Sequence, residues 1–407
     1  MKTVVRFFIS TTAGVAAFAS FALANMHHHG ESAHHFSGEV RTRLNFTNNE
    51  ALVSEDLRHQ FENRARVNLD FMPMDSLKLR IAPQATHIWG TQDGAGADVA
   101  APNAYLKEAW MSWMPSHMLT AFIGRQEISY GAGRVIGRKD WSQDGQHFDS
   151  ARFRINYDMG YTDIFWAKLF EGQNAAVRTK DADLFALYTS LNLEDQIEFV
   201  RTLDFHAAYW YQNGDGAAEN KKFFGGARAA GDIAMLFYDL ELMAQFGKLG
   251  GESDTGFAGE LLVGMNFMDR HMAALNFAYA NQHYVNLLGD YHQFLGDSDI
   301  LGRQNVMAIG LNTSFGLTDE FNFDLDGYYF LKAKKEADVF NAVTGAAGGT
   351  VAQSALGMEA NARLGYQPND MLRFEFGYAL FAPGKAFKDA GDDKTAHRGY
   401  LQGTMQF

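Results

Sequence analysis

Apolar and polar residues alternate one by one along several stretches of the chain. In FSGEVRTRLNF, Phe36, Val40, Leu44 and Phe46 fall on one side, with Glu39, Arg41, Arg43 and Asn45 on the other. In FENRARVNLDF, Phe61, Ala65, Val67, Leu69 and Phe71 oppose Glu62, Arg64, Arg66, Asn68 and Asp70. A period of two marks a β-strand with one oily face. The same holds late in the chain, where Phe323, Leu325 and Tyr329 oppose Asp324 and Asp326, and Leu372, Phe374 and Phe376 oppose Arg373 and Glu375. Short turn-like segments break the pattern at 72–76, 115–117, 158–161, 192–196, about 230–232, 268–271, 317–320 and 367–370. Longer polar or Gly-rich connections lie near 48–57, 90–103, 125–147, 171–182, 212–221, 248–256, 283–304, 333–352 and 384–393. Eight short turns and nine long connections predict 18 antiparallel strands, or 16 if the turn at 230–232 and the strand at 182–191 are discounted.

Composition decides what kind of sheet this is. Aromatic residues are 14% of the 407, Gly numbers 40 and Pro only 6, yet the mean hydropathy is slightly negative. Strands that show an oily face only at every second residue predict an all-β, transmembrane antiparallel barrel with short periplasmic turns and long extracellular loops. A soluble sandwich alternates too, but rarely carries so many charges on adjacent strands. No run of 18 apolar residues follows the N-terminal segment, which argues against helical spans. Residues 1–24, with Lys2 and Arg6 ahead of an apolar run and Ala22-Leu23-Ala24 at its end, read as a secretory signal peptide. Residues 25–35 then form a His-rich tail and 36–407 the barrel. The closing strand RGYLQGTMQF stops on Phe407, which resembles the terminal signal read by barrel-assembly machinery. Expected partners are that machinery, outer-membrane lipid and lipopolysaccharide. The absence of cysteine removes disulfide and thiolate-metal readings.

One segment fits neither strand nor helix. GRQEISYGAGRVIGRKDWSQDGQHFD, residues 124–149, holds five Gly, four Arg or Lys and four carboxylates. It is too polar for lipid, and irregular backbone at membrane depth is tolerated where it lines a water-filled cavity. A barrel of this size is too wide for its side chains to fill. Residues 125–147 are therefore expected to fold inward as a constriction loop, with Arg125, Arg134, Arg138 and Trp141 shielded from outside. The pattern Gly124-Arg125-Gln126, Tyr130-Gly131, Arg134, Gly137, Asp140-Trp141 and Phe148-Asp149 resembles the signature region of the alginate-export porins of Gram-negative outer membranes. YVNLLGDYHQFLGDSDILGRQN, with His292, Asp299 and Gly302, and LGMEANARLGY, with Gly357 and Glu359, resemble a later loop and a late strand of that family. The resemblance implies an 18-stranded monomeric pore, narrowed by an arginine-lined lumen, that passes anionic polyuronate outward.

Strand parity also reads the lumen directly. Early strands point Arg41, Arg43, Arg64, Arg66, Lys78, Arg80, Arg152 and Arg154 inward, against Glu39, Glu62, Asp70 and Glu108. Later strands point Asp204, Asp239, Glu241, Glu260, Asp324, Asp326, Glu359 and Glu375 inward, against Arg363, Arg373 and Arg398. The expectation is a basic wall facing an acidic wall, with the basic wall favouring anions. The alternative is that opposite charges pair and merely keep the pore wet, and the net charge of −13 does not help attract anions from afar. The other constellations are bland. Five His within 26–35 lack fixed geometry for a metal. GAGRVIG has the wrong glycine spacing for a dinucleotide site. Asp239 and Glu241, two apart on one face, are the carboxylate spacing of a glycan hydrolase, but a carboxylate-rich lumen gives such pairs routinely. No cofactor, metal or nucleic acid is expected. The function expected is passive passage of anionic solutes, with a general porin and an outer-membrane hydrolase as alternatives.

Overall fold

The computed structural model describes residues 33–49, 52, 57–89, 103–171, 181–213, 220–268, 270–292, 294–341, 346–347 and 351–407. In chain order the elements are β1 (Ala33–Asn48), β2 (Arg58–Met74), β3 (Leu77–Ile88), β4 (Asn103–Ser116), β5 (Leu119–Gln126), β6 (Phe148–Tyr157), β7 (Gly160–Phe170), β8 (Ala182–Asn192), β9 (Thr202–Gln212), β10 (Asn220–Ile233), β11 (Leu236–Leu249), β12 (Glu252–Phe267), β13 (His271–Ala280), β14 (Val306–Gly316), β15 (Phe321–Leu331), β16 (Phe340–Asn341), β17 (Ala346–Ala347), β18 (Ala355–Asn369), β19 (Leu372–Pro383), α1 (Lys385–Lys388) and β20 (Ala396–Gln406). Apart from the small β16–β17 hairpin, all strands join one 18-stranded antiparallel sheet in which each pairs with its sequence neighbours. β20 pairs with β1, so the sheet closes on itself and no backbone edge faces lipid. The predicted signal peptide and most of the His-rich tail lie outside the described residues. β1 begins at Ala33, so His34 and His35 belong to the barrel rather than to the tail.

One rim carries the connections 75–76, 117–118, 158–159, 193–201, 234–235, 268–270, 317–320 and 370–371. The other carries 49–57, 89–102, 127–147, 171–181, 213–219, 250–251, 281–305, 332–354 and 384–395. The strand count and the alternation of rims follow the sequence reading, with two local corrections. The turn expected near 230–232 lies at 234–235. Gly231 is in β10, opposite Tyr238, and its missing side chain leaves room for the Phe199 carbonyl, which would collide with any Cβ there. The glycine serves a close approach by the 193–201 connection rather than a turn. The connection expected over 248–256 shrinks to Gly250-Gly251, whose φ values of 62° and 89° suit the tight hairpin that matches strand twist.

The outer face is oily, with Ile81, Phe153, Phe185, Leu242, Phe257 and Met358 all exposed. The inner face is mixed, with two apolar patches near the long-connection rim set among charged residues such as Lys107, Lys222 and Glu359. Phe165, Leu184, Trp210 and Phe224 pack with Ile128, Tyr130, Ile136 and Leu288 in one cluster. Phe330 and Phe381 pack with Tyr284, Leu295, Ile300 and Leu301 in another. The two apolar clusters are where the connections 127–147 and 281–305 dock, so both fold into the barrel.

Candidate functional site: a lumen narrowed by two loops

The loop 127–147 leaves β5 by burying Ile128, and Tyr130 donates a 2.9 Å hydrogen bond to Asp163 on β7. Gly131 and Gly133, at φ 56° and 80°, then turn the backbone across the lumen. Arg134 thereby reaches the far wall. Its guanidinium meets Glu241 at 3.0 Å and Asp239 at 3.1 Å on β11, and Glu260 on β12. An unpaired buried guanidinium would cost several kcal/mol, so three carboxylates fix this residue firmly.

The chain next returns to the β1–β2 wall. Arg41 donates to the carbonyl oxygens of Asp140 at 2.8 Å and Ser142 at 3.1 Å, and Arg43 to that of Trp141 at 3.0 Å. Arg64 grips the Asp140 carbonyl at 3.1 Å and its carboxylate at 3.0 Å, while Arg66 stands 3.9 Å from the same carboxylate. Enclosure works against the Asp140 charge, yet Arg64, Arg41 and Arg66 outweigh it and hold the carboxyl below its ordinary range. The Trp141 ring lies between Arg43 and His292, each 3.7 Å from its centroid and therefore on opposite faces, with Tyr400 edge-on at 4.9 Å. The basic patch read from the sequence is thus real in position, but the protein's own loop occupies it.

The second loop, 281–305, locks the first. Ile136 and Leu288 form a parallel bridge. Gly137 N–H donates to the Leu288 carbonyl at 3.0 Å and Asp290 N–H to the Gly133 carbonyl at 2.9 Å. The Asp290 carboxylate accepts the Lys139 N–H, and burial pushes its pKa upward. Gly289 is required here, because a Cβ would overlap the Arg134 carbonyl oxygen. The loop is tied to the wall by Ser298, whose N–H reaches Glu359 at 3.0 Å, by Asp297 with Arg363 at 2.6 Å, and by Asp299 with His292 and Arg398.

The residues singled out from sequence therefore separate into groups. Arg41, Arg43, Arg64 and Arg66 converge on residues 140–142. Arg80 pairs with Asp70 at 2.6 Å and Glu108 at 3.3 Å, and Arg152 and Arg154 share Asp163 at 3.2 and 2.8 Å, all on the inner wall. Arg363 holds Asp297 and Asp326, both at 2.6 Å. Arg138 is exposed on the loop, and its side chain makes no hydrogen bond or ion pair among the described residues. Arg125 is a correction. β5 runs on through Gln126, and strand parity puts Arg125 on the outer face with Ile123, bridged to Asp149 at 2.7 Å. It does not line the lumen.

The acidic wall is also corrected. Most of its carboxylates are neutralised, in part by cations the parity argument did not count. Arg134 and Arg303 come from the two loops to Asp239, Glu241 and Glu260. Arg228, an inward β10 residue passed over in the sequence, bridges Asp204 at 2.9 Å and Asp239 at 2.5 Å. Asp163 was missed for the same reason, being a lone charge among apolar neighbours. Arg303 carries no periodic signal, since it lies in a loop. Among the described residues no cluster of His, Asp or Glu could hold a metal ion. Chemically, the site is a carboxylate held by guanidinium groups inside a narrowed, wet passage.

A family model described as Alginate export matches residues 33–401. Among solved structures, Pseudomonas aeruginosa OccK2 (OpdF) in complex with glucuronate is similar at 8% identity and TM-score 0.65, covering 92% of this chain and 96% of that one. Acinetobacter baumannii OccAB1 is similar at 10% identity and TM-score 0.65 over 92% and 96%. Pseudomonas aeruginosa OccK8 (OprE) is similar at 11% identity and TM-score 0.62 over 92% and 98%. At such identities the likeness concerns the fold. No curated protein sequence matches the chain.

Proposed function

The chain belongs to the alginate export family and is an outer-membrane porin-like barrel; from that premise we propose that it passes anionic solutes of the uronate class. The observation that carries this reading is the Asp140 carboxylate, 3.0 Å from Arg64 and 3.9 Å from Arg66. Arg41, Arg43 and Arg64 are themselves buried and taken by the loop, so this contact is a precedent for how the lumen recognises a carboxylate, and a uronate moving past would meet the exposed cations instead. Arg138, exposed on the loop, and Arg80, Arg152 and Arg154 on the wall below extend the basic track. The glucuronate in the OccK2 structure supports the class of solute. The reading is of a monomeric channel rather than a hydrolase. The carboxylate pair Asp239 and Glu241 is committed to Arg134, which supports a structural role for both.

A general porin is the second reading, favoured by how completely the later strands' carboxylates are paired. Reversal potentials in a planar bilayer under a potassium chloride gradient separate the two. The wild type is expected to prefer anions, Arg138→Ser to lower that preference, and sodium glucuronate to reduce chloride current. Cation preference in the wild type, or no response to either change, would favour the general porin.

A further inference from the structure

On the periplasmic rim the connection 193–201 stands apart. Its fellows close within a few residues, whereas this one runs LEDQIEFVR between β8 and β9. It is nonetheless held in one shape. Leu193 is buried, its N–H donates to the Arg201 carbonyl at 2.9 Å, and its own carbonyl accepts the N–H groups of Gln196 and Ile197, both at 2.9 Å. Val200 N–H closes a second turn on the Ile197 carbonyl at 3.0 Å, and Arg201 N–H is pinned to the Ala230 carbonyl of β10 at 2.9 Å.

The folded segment leans outward. Gly231 has the strand parity of Phe223, whose ring is exposed on the outer wall, and a Cβ on Gly231 would stand 2.3 Å from the Phe199 carbonyl oxygen. Tyr238, opposite Gly231 and on the same face, donates to that carbonyl at 2.9 Å. The segment therefore lies over the lipid-facing side of β10 and β11 rather than across the mouth of the lumen. There Phe199 is 55% exposed and Ile197 37%. Two residues further along the same face, the outward pair Ile233 and Leu236 is exposed as well. The carboxylates alternate with these side chains in sequence: Glu194, Asp195 and Glu198 are all exposed.

We propose that 193–201 is a membrane wedge, with Ile197 and Phe199 seated in the phospholipid of the periplasmic leaflet and Glu194, Asp195 and Glu198 held at the headgroup level. The occupant is lipid because the apolar patch continues the lipid-facing wall and lies on the bilayer side of the rim. Apolar side chains on a fixed turn enter the leaflet boundary, as those of an interfacial helix do. Carboxylates are costly below the headgroups, so the three acidic residues set how far the turn can sink. The inference is independent of what passes through the lumen.

The chain has no cysteine, so a nitroxide can be placed at single positions of the full protein by Ile197→Cys, Phe199→Cys, Asp195→Cys and Glu198→Cys. Each variant is reconstituted in vesicles of phosphatidylethanolamine and phosphatidylglycerol, and heat-modifiable migration confirms that it is folded. Power-saturation spectroscopy then compares collisions with oxygen, which concentrates in the bilayer, and with nickel-ethylenediaminediacetate, which stays in water. Oxygen is expected to dominate at 197 and 199, and the order is expected to reverse at 195 and 198. The two apolar positions report separately, so loss of folding in one variant leaves the other to decide. Nickel dominance at 197 and 199 would overturn the proposal and leave a face open to a periplasmic protein, and equal behaviour at all four positions would overturn it too.

Discussion

Asp140 carries the electrostatics of the constriction, and its behaviour with pH can be worked out. Arg64, Arg41 and Arg66 hold its carboxyl below the ordinary value of 3.8, so its contribution to docking is complete above that value. The contribution is lost only as pH falls through the lowered value. The Asp140 part of loop docking is therefore expected to be flat between neutral and mildly acid solution and to fail below about pH 3.8. His147 is driven down to about 4 mainly by burial, so the docked loop keeps it neutral while a released loop would protonate it below 6.5, and docking weakens gradually as pH falls from 6.5 toward 4. Asp140→Asn keeps the shape but removes the charge, so protease cutting of the loop on intact cells should rise at neutral pH, with the acid transition gone. A wild-type transition complete near pH 6, with none at lower pH, would assign the docking to His147 rather than Asp140. At this scale periodicity reveals faces but not partners. Parity put Arg41, Arg43, Arg64 and Arg66 on the inner wall, whereas nothing periodic says that residues 140–142 return to meet them. The expectation for Arg125 fails because the segment's irregularity was assigned two residues too early, when Arg125 and Gln126 still belonged to the strand.

The two inward loops are one element in physical terms. Residues 127–147 touch the β1–β2 wall through arginine and the β11–β12 wall through Arg134, but their middle is held by Leu288, Gly289 and Asp290. Two backbone hydrogen bonds, at 3.0 and 2.9 Å, and the Trp141–His292 stack cross between them. Groups that share contacts couple rather than add. Excising 285–291 should therefore release the first loop as well. Single-channel conductance is expected to rise nearly as far in that variant as in one that also lacks 131–145. If the two increments instead summed independently, the loops would be separate constrictions. The strands and turns were legible because lipid enforces a period of two on one face and the short rim leaves little room for variation. The exceptions have local causes: Gly231 resembles a turn residue but relieves a contact, and Gly250-Gly251 compresses a long polar stretch into a hairpin. The second loop's inward course was not read from the sequence, where the segment only resembled a later loop of the family, since apolar anchors such as Leu295, Ile300 and Leu301 look like an ordinary strand or core segment.

For the whole molecule, the decisive feature is closure, which joins the first and last strands across a single seam. β1 and β20 pair from Glu39 opposite Gln406 to Asn48 opposite His397. Gly38 then exchanges both backbone hydrogen bonds with Phe407, at 2.8 and 3.1 Å. The Phe407 ring folds over Gly38 on the outer face, 5.5 Å from Phe36. A Cβ on Gly38 would stand 2.5 Å from the tip of that ring and 2.8 Å from the Arg66 carbonyl oxygen. Gly38→Leu must therefore displace the terminal aromatic or part the seam, at a cost of about 1–3 kcal/mol for overpacking. Gly327 on β15 also belongs to the barrel, but a Cβ there meets nothing within 4 Å. Gly327→Leu adds the same side chain without a collision, so it controls for volume and hydrophobicity. The temperature at which the barrel loses its compact gel migration should fall for Gly38→Leu and stay near the wild-type value for Gly327→Leu. Equal loss in both would mean that glycine content in general, and not the seam, sets the stability of the closed barrel. Loss in the first alone would tie it to the contact between Gly38 and Phe407, where the first and last strands meet.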